Sequence, residues 1–305
     1  LRWWIRPLVR VIVALVLPFL VPAILTGILW ALPGNPADII CPPAMCPGTE
    51  ELARRWDLHA GPTHYYVTWM KHAATLDLGR SWRVYQGTPV WDLMIEQGPS
   101  SLLLVALSTV PLLLGSVLAA IGVLPRRLDA LWQGLGLAPS VILALVFAAF
   151  VTIQFGAMST EGWPALLRIA LGALVLGVAD GALASAVTGT RAVLDEEVKQ
   201  RYVGIAILRG EGVLSNTLPN VLPALIGQFR GRVLHILSGA VVVEVVLEIS
   251  GIGAMLWTGT LQQDFGVVMA SAWVFTVLSS LLLLLHATSE ILIATHVRRA
   301  PAVPG

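Results

Sequence analysis

Long uncharged runs, separated by short polar segments, set the pattern of this chain. A helix rises about 1.5 Å per residue, so crossing a hydrocarbon layer of about 30 Å takes about 20 mostly apolar residues. Residues 11–37, 97–125, 130–160 and 265–289 contain no Asp, Glu, Lys or Arg and meet that length. Two further runs carry charge: 163–190 holds Arg168 and Asp180, and 221–250 holds Arg230, Arg232, Glu244 and Glu248. The pattern predicts an all-α integral membrane protein with six transmembrane helices. Pro18 and Pro22 fall inside the first run, where neighbouring helices in lipid can satisfy the carbonyls that proline leaves unbonded. That run follows Arg2, Arg6 and Arg10, as a secretory leader would. It is too long for a leader core of about 7 to 15 residues, and ALPGNPAD offers no small-x-small cleavage site, so a retained helix is expected.

Two polar segments interrupt the apolar pattern. Residues 33–96 hold 12 of the 37 charged residues. They read as short amphipathic helices, one with Leu52 and Trp56 on one face and a second with Tyr66, Met70 and Ala73 at helical spacing. Thr88 followed by Pro89 resembles an N-cap and first-turn pair opening a helix through Trp91 and Leu93 into the second span. This segment reads as helices at the membrane interface, as a docking platform for a soluble partner, or as both. Residues 191–222 form the other segment, whose first half alternates charge with Tyr202, Val203, Ala206 and Ile207, after which Gly210, Gly212 and Pro219 are expected to interrupt. An amphipathic helix there suits a groove on a soluble protein, and a solvated linker is the plainer alternative.

Composition narrows the class. Of 305 residues, 56% are hydrophobic and 12% charged, about half the charge of an ordinary soluble domain, and mean hydropathy is +0.80. Nineteen Lys and Arg against 18 Asp and Glu, with two Cys, exclude a disordered chain, a disulfide scaffold and a strongly basic nucleic-acid binder. The lipid bilayer is thus an expected partner and nucleic acid is not. With the N-terminus inside, cytoplasmic segments hold 13 of the 19 basic residues, Arg230 and Arg232 near the start of the 221–250 run counted among them, and the loops 156–162 and 251–264 hold none. Both termini are therefore expected to be cytoplasmic.

At this point a resemblance enters. LPGNPAD, DLGRSW, GTPVWDLMIEQGPSSLLLVAL, TLPNVLPALI, SGAVVVEVVLEISGIGAML and QQDFGVVMASA, in that order, are similar to the permease subunits of the dipeptide, oligopeptide and nickel ABC importers. The resemblance implies a type I ABC importer permease-like fold: a single transmembrane permease domain over 1–305, with 33–96 as an extracytoplasmic helical insertion and 191–222 as the cytoplasmic coupling loop. It implies a second homologous permease subunit, two cytoplasmic ATPase subunits and an extracytoplasmic substrate-binding protein as partners. Tyr202, Val203, Ala206 and Gly210 fall where the family's coupling loop has a Tyr, a Val, an Ala and a Gly. The loop departs from the family in being about four residues short between Gly210 and TLPN, and in carrying Ile205, Ile207 and Leu208 at polar positions. That departure motivates an alternative: a permease-like anchoring subunit of a larger complex, without transport of its own.

Chemistry within the chain is sparse. A phosphate-cradling loop ends in Lys then Ser or Thr, whereas the two lysines, Lys71 and Lys199, precede His72 and Gln200. ATP and Mg²⁺ are thus expected on partner subunits, with no cofactor and no metal on this chain, which is not expected to be an enzyme. GPSS around Ser100 resembles a serine motif of intramembrane proteases but reads better as a helix entry, and HExxH and GxSxG are absent. Cys41 and Cys46 could form a local disulfide in an oxidising compartment or remain two thiols, and with His59 or His64 they are a weak zinc signal. Asp180 and Glu244 lie inside apolar runs, where a charge costs at least about 2.5 kcal/mol. They either line the translocation path or make helix-to-helix bonds. His286 and Glu290, four apart, are expected to pair.

Overall fold

The computed structural model describes residues 5–44, 46, 48–156 and 162–299; Arg2 and most of the 156–162 loop lie outside the described residues. Thirteen α-helices run in chain order among them: α1 (Ile5–Ala31), α2 (Pro36–Ile40), α3 (Thr49–Arg55), α4 (Pro62–Ala74), α5 (Val90–Ala120), α6 (Asp129–Gly136), α7 (Ser140–Phe155), α8 (Trp163–Val178), α9 (Ala182–Val198), α10 (Arg201–Leu208), α11 (Val213–Val246), α12 (Ile252–Leu261) and α13 (Phe265–Arg299). The only extended pairing in the described residues is one antiparallel bridge, Arg80 to Pro89.

Three helical stretches are long and apolar enough to cross a membrane: Leu8–Ala31, Val90–Ala120 and Phe265–Leu292. Two predicted spans are broken. Residues Arg126–Gly136 and Ser140–Phe155 meet at 75°, and Trp163–Val178 and Ala182–Val198 at 42°. Pro139 ends the first break, and left-handed Asp180 and Gly181 (φ 51° and 72°) make the second. The last charged run sits in α11, 34 residues long and interrupted by Arg230, Arg232 and Glu244. Its Pro219 and Pro223 lie within the helix, so TLPN begins no new element; Gly212 alone marks the start, its carbonyl accepting from Ser215 Oγ at 2.7 Å and Asn216 Nδ2 at 2.9 Å. A helix does open at the Thr88–Pro89 pair and runs through Trp91 and Leu93 into the second span, the Pro89 carbonyl accepting from Leu93 N at 3.4 Å. The second span starts at Val90, and Thr88 donates its hydroxyl to the Tyr85 carbonyl (2.6 Å) instead of capping.

The chain divides into two compact units: Leu1–Val11, Leu103–Leu247 and Leu282–Gly305 form one, Ile12–Leu102 and Glu248–Leu281 the other. In the second unit the insertion folds on an aromatic core. Tyr65, Trp69 and Ala73 form the buried stripe of α4, one position from the predicted Tyr66 and Met70. They pack with Leu29, Trp56, Leu78, Val90 and Met269. Trp69 meets Trp273 edge-on at 5.9 Å, and Tyr65, whose phenol burial pushes well above its ordinary pKa, points at Met269 Sδ (3.7 Å). Tyr66 reaches the Phe19 carbonyl instead (3.1 Å). Rings of this size bury large apolar areas from few residues, which lets a short segment hold a core.

The first unit is built on close helix approaches at glycines. A Cβ on Gly172 of α8 would meet Leu104, Val243 and Leu247 side chains at 3.0 to 3.1 Å, and one on Gly177 would meet the Ser108 carbonyl at 2.8 Å. Small residues of this kind let helix backbones approach in membranes.

Candidate functional site

The second polar segment is an elbow formed by α9, α10 and the start of α11. Val203 and Ala206, one turn apart, are buried, at 0% and 5% exposure, and hold α10 against the chain. The opposite side is apolar and open: Ile205 is 52% exposed, Ile207 49% and Leu208 87%. Tyr202 braces the elbow, its hydroxyl donating to Glu197 and accepting from Asn220 Nδ2 (2.7 Å); burial and the Glu197 bond push its phenol above the ordinary value. Gly210, at φ +76°, reverses the chain after α10, and a Cβ there would touch nothing within 4 Å. Its need for glycine is conformational, not steric. Beside the elbow, Arg191 donates to the Leu124 carbonyl (2.6 Å) and pairs with Asp129, and Arg126 bonds both oxygens of Asp195 at 2.7 and 2.8 Å. The linker before α6 is thus tied to α9.

The two acids of the apolar runs, Asp180 and Glu244, sit apart from this elbow. Asp180 occupies the break between α8 and α9; its carboxylate accepts from Ser140 N at 3.1 Å, at the first turn of α7, and its own N–H donates to the Ala138 carbonyl at 3.2 Å. A carboxylate at a helix N-terminus is favourable there. Glu244 is fully buried in α11, one turn from Leu247, whose carbonyl accepts from Arg168 Nη1 at 2.9 Å. Arg10, His286 and Glu290 form one cluster: Arg10 Nη1 lies 2.8 Å from His286 Nε2 and pairs with Glu290, while His286 and Glu290 are 3.6 Å apart. Ser101 accepts from Ile252 N (2.8 Å) and serves packing.

In the other unit, Cys41 and Cys46 lie side by side, with Cα atoms 5.4 Å apart, and no group of three or more metal-binding side chains occurs among the described residues. A buried carboxylate that sequence reasoning missed organises this region. Asp264 Oδ2 accepts from Ser81 Oγ (2.6 Å) and from the backbone N–H groups of Trp82, Arg83 and Val84 at 3.1, 2.9 and 3.1 Å, while Oδ1 takes the Val267 N–H at 3.3 Å. Its signal in the sequence was an Asp one residue before an apolar run, the N-cap position. Nearby, Asp77 accepts from Arg55 Nη2 (2.7 Å), His72 Nδ1 (3.1 Å) and Gly79 N (3.2 Å). Burial alone would raise its pKa, but these bonds and the Arg55 charge hold it below the ordinary carboxylate value.

Residues 99–299 match the family model of the binding-protein-dependent transport system inner membrane component. The chain is 26% identical over 277 residues to the oligopeptide transport system permease protein AppB of Bacillus subtilis (strain 168), covering 84% of this chain and 85% of that one. It is 24% identical over 275 residues to the dipeptide transport system permease protein DppB of Lactococcus lactis subsp. cremoris (85% and 88%). Against the glutathione transport system permease protein GsiC of Escherichia coli O6:H1 it is 25% identical over 270 residues (85% and 87%). These relatives favour transport over anchoring. The chain belongs to the binding-protein-dependent transport system inner membrane components: it is a multi-pass permease subunit of an ABC importer, not itself an enzyme, and works with ATPase and substrate-binding subunits.

Proposed function

We propose that this permease forms half of a translocation pathway for di- or oligopeptides, paired with a second homologous permease. Two ATPase subunits hydrolyse ATP with Mg²⁺ beneath it, and a binding protein delivers cargo from outside. In this reading the single permease domain has six spans and both termini in the cytoplasm. The two bent pairs each count as one span. At about 1.5 Å per residue, the 34 residues of α11 reach about 50 Å, long enough to be the remaining span with a cytoplasmic extension. Residues 191–222 face the ATPases, and 33–96, with a disulfide between Cys41 and Cys46, face the binding protein in an oxidising compartment. Asp180 and Glu244 border the pathway by holding its helices in register.

The observation that carries the reading is the α10 elbow, with Ile205, Ile207 and Leu208 exposed on a helix anchored by Val203 and Ala206. Apolar side chains this exposed on a segment outside the spans are expected to be covered by a partner. Deleting residues 202–212 is expected to abolish ATP-driven peptide uptake while the protein still inserts in the membrane. Uptake at the unmodified level by the deleted form would overturn the reading.

A further inference from the structure

The first unit contains an open cavity of about 750 Å³ between α5, α9 and α11, whose polar lining is Arg232, Gln228, Ser116, Ser185, Thr188 and Thr190. From α11 come Leu222, Ile226 and Phe229 on one helical stripe that ends in Arg232. Arg232 is the only charged residue of the lining and makes no hydrogen bond or ion pair among the described residues. From α9 come Ser185 and Thr188, whose hydroxyl protons are already given to backbone: Ser185 to the Gly181 and Ala182 carbonyls, Thr188 to that of Ala184 at 2.8 Å. Their remaining lone pairs are acceptors. Neither Asp180 nor Glu244 borders this space.

Arg232, the hydroxyl acceptors of Ser185 and Thr188 and the apolar stripe of α11 line one space and complement a solute with N–H donors, apolar side chains and one terminal carboxylate. Arg is suited to such a group because its planar fork bonds both carboxylate oxygens. The geometry points to Arg232 as the residue that receives the carboxylate of the cargo as it passes through this half of the transporter. This rests on the peptide-permease reading and adds to it the polarity of the cargo and the residue that senses it.

The complete transporter, reconstituted in vesicles with its partner permease, ATPases and binding protein, tests this with trialanine and its C-terminal amide. Discrimination by the binding protein is common to wild type and variant, so the comparison is the ratio of free-acid to amide uptake in each. Arg232→Gln is expected to lower that ratio at least tenfold, and Arg232→Lys to restore part of it. An unchanged ratio overturns the inference while leaving the permease reading intact, and so does an equal loss of both peptides that is reproduced by removing anionic lipid, which would assign Arg232 to a lipid phosphate. Failure of the wild type to import either peptide sinks the peptide reading itself. Should Arg232→Gln fail to assemble, trialanine extended by a C-terminal photoreactive phenylalanine is applied to the wild-type complex. Crosslinking to residues 222–232 that is lost on amidation supports the inference, and crosslinking indifferent to amidation overturns it.

Discussion

Single side chains in this protein hold loops that its short polar segments could not hold by propensity. Asp264 takes one hydroxyl and three backbone N–H groups on a single oxygen while 2% exposed. Hydrogen bonds to a charged acceptor contribute about 1.5 to 3 kcal/mol each, and less than additively when shared. Asp264→Ala is therefore expected to destabilise the 81–89 turn by about 3 kcal/mol or more, read as faster amide exchange of Trp82 to Val84 with the rest of the insertion protected. Asp77 makes a pH prediction. Its folded pKa lies below its ordinary value of 3.8, so its contribution is fully present above that value and is lost as pH falls through the lower, folded one. Protease susceptibility of residues 49–90 is expected to rise as pH drops below about 4, and Asp77→Asn to be as susceptible at neutral pH as the wild type is in acid. The residue types were legible in the sequence, Asp77 within DLGRSW and Asp264 within QQDFG. Their partners were not, because Asp264 is 183 positions from Ser81 and only folding brings them together.

At the scale of elements, hydrophobic periodicity placed the helices but not their breaks. Residues 130–160 read as one apolar stretch, yet α6 and α7 meet at 75°, and Gly136 of α6 lies against the α8–α9 break, where a Cβ would stand 2.7 Å from Gly181 Cα. Backbone cannot move aside as a flexible side chain can. Gly136→Val is thus expected to lower stability by about 1 to 3 kcal/mol, the usual cost of overpacking, seen as a lower melting temperature in detergent. Gly134→Val, on the same helix with nothing within 4 Å, is the matched control and is expected to melt close to wild type. The α4 stripe shows the same limit in miniature. Both Tyr65 and Tyr66 fit a helical period, and which of them is buried depends on where the core formed by Trp56 and Met269 lies.

For the whole molecule, the distribution of charge sufficed to mark the three unbroken apolar helices, since insertion free energy depends on composition summed over about 20 residues and hardly on neighbours. It also placed the elbow: 191–222 was recognisable as an amphipathic projection, and the structure adds that Val203 and Ala206 face in while Ile207 and Leu208 face out. The cavity beside Arg232 was invisible to sequence reading, which counted Arg232 only as one of many basic residues. A cavity is a property of three helices at once, and the α5 and α11 parts of its lining lie more than a hundred residues apart in the chain. The sequence by itself thus determined that this is a helical membrane protein, because hydrophobic length and charge asymmetry are local sums, and its ordered motifs carried the resemblance to ABC importer permeases. Only the tertiary structure decided which carboxylates cap and which are enclosed, where helices break, and that an arginine is left facing open space, because each depends on what distant side chains leave unfilled and unbonded.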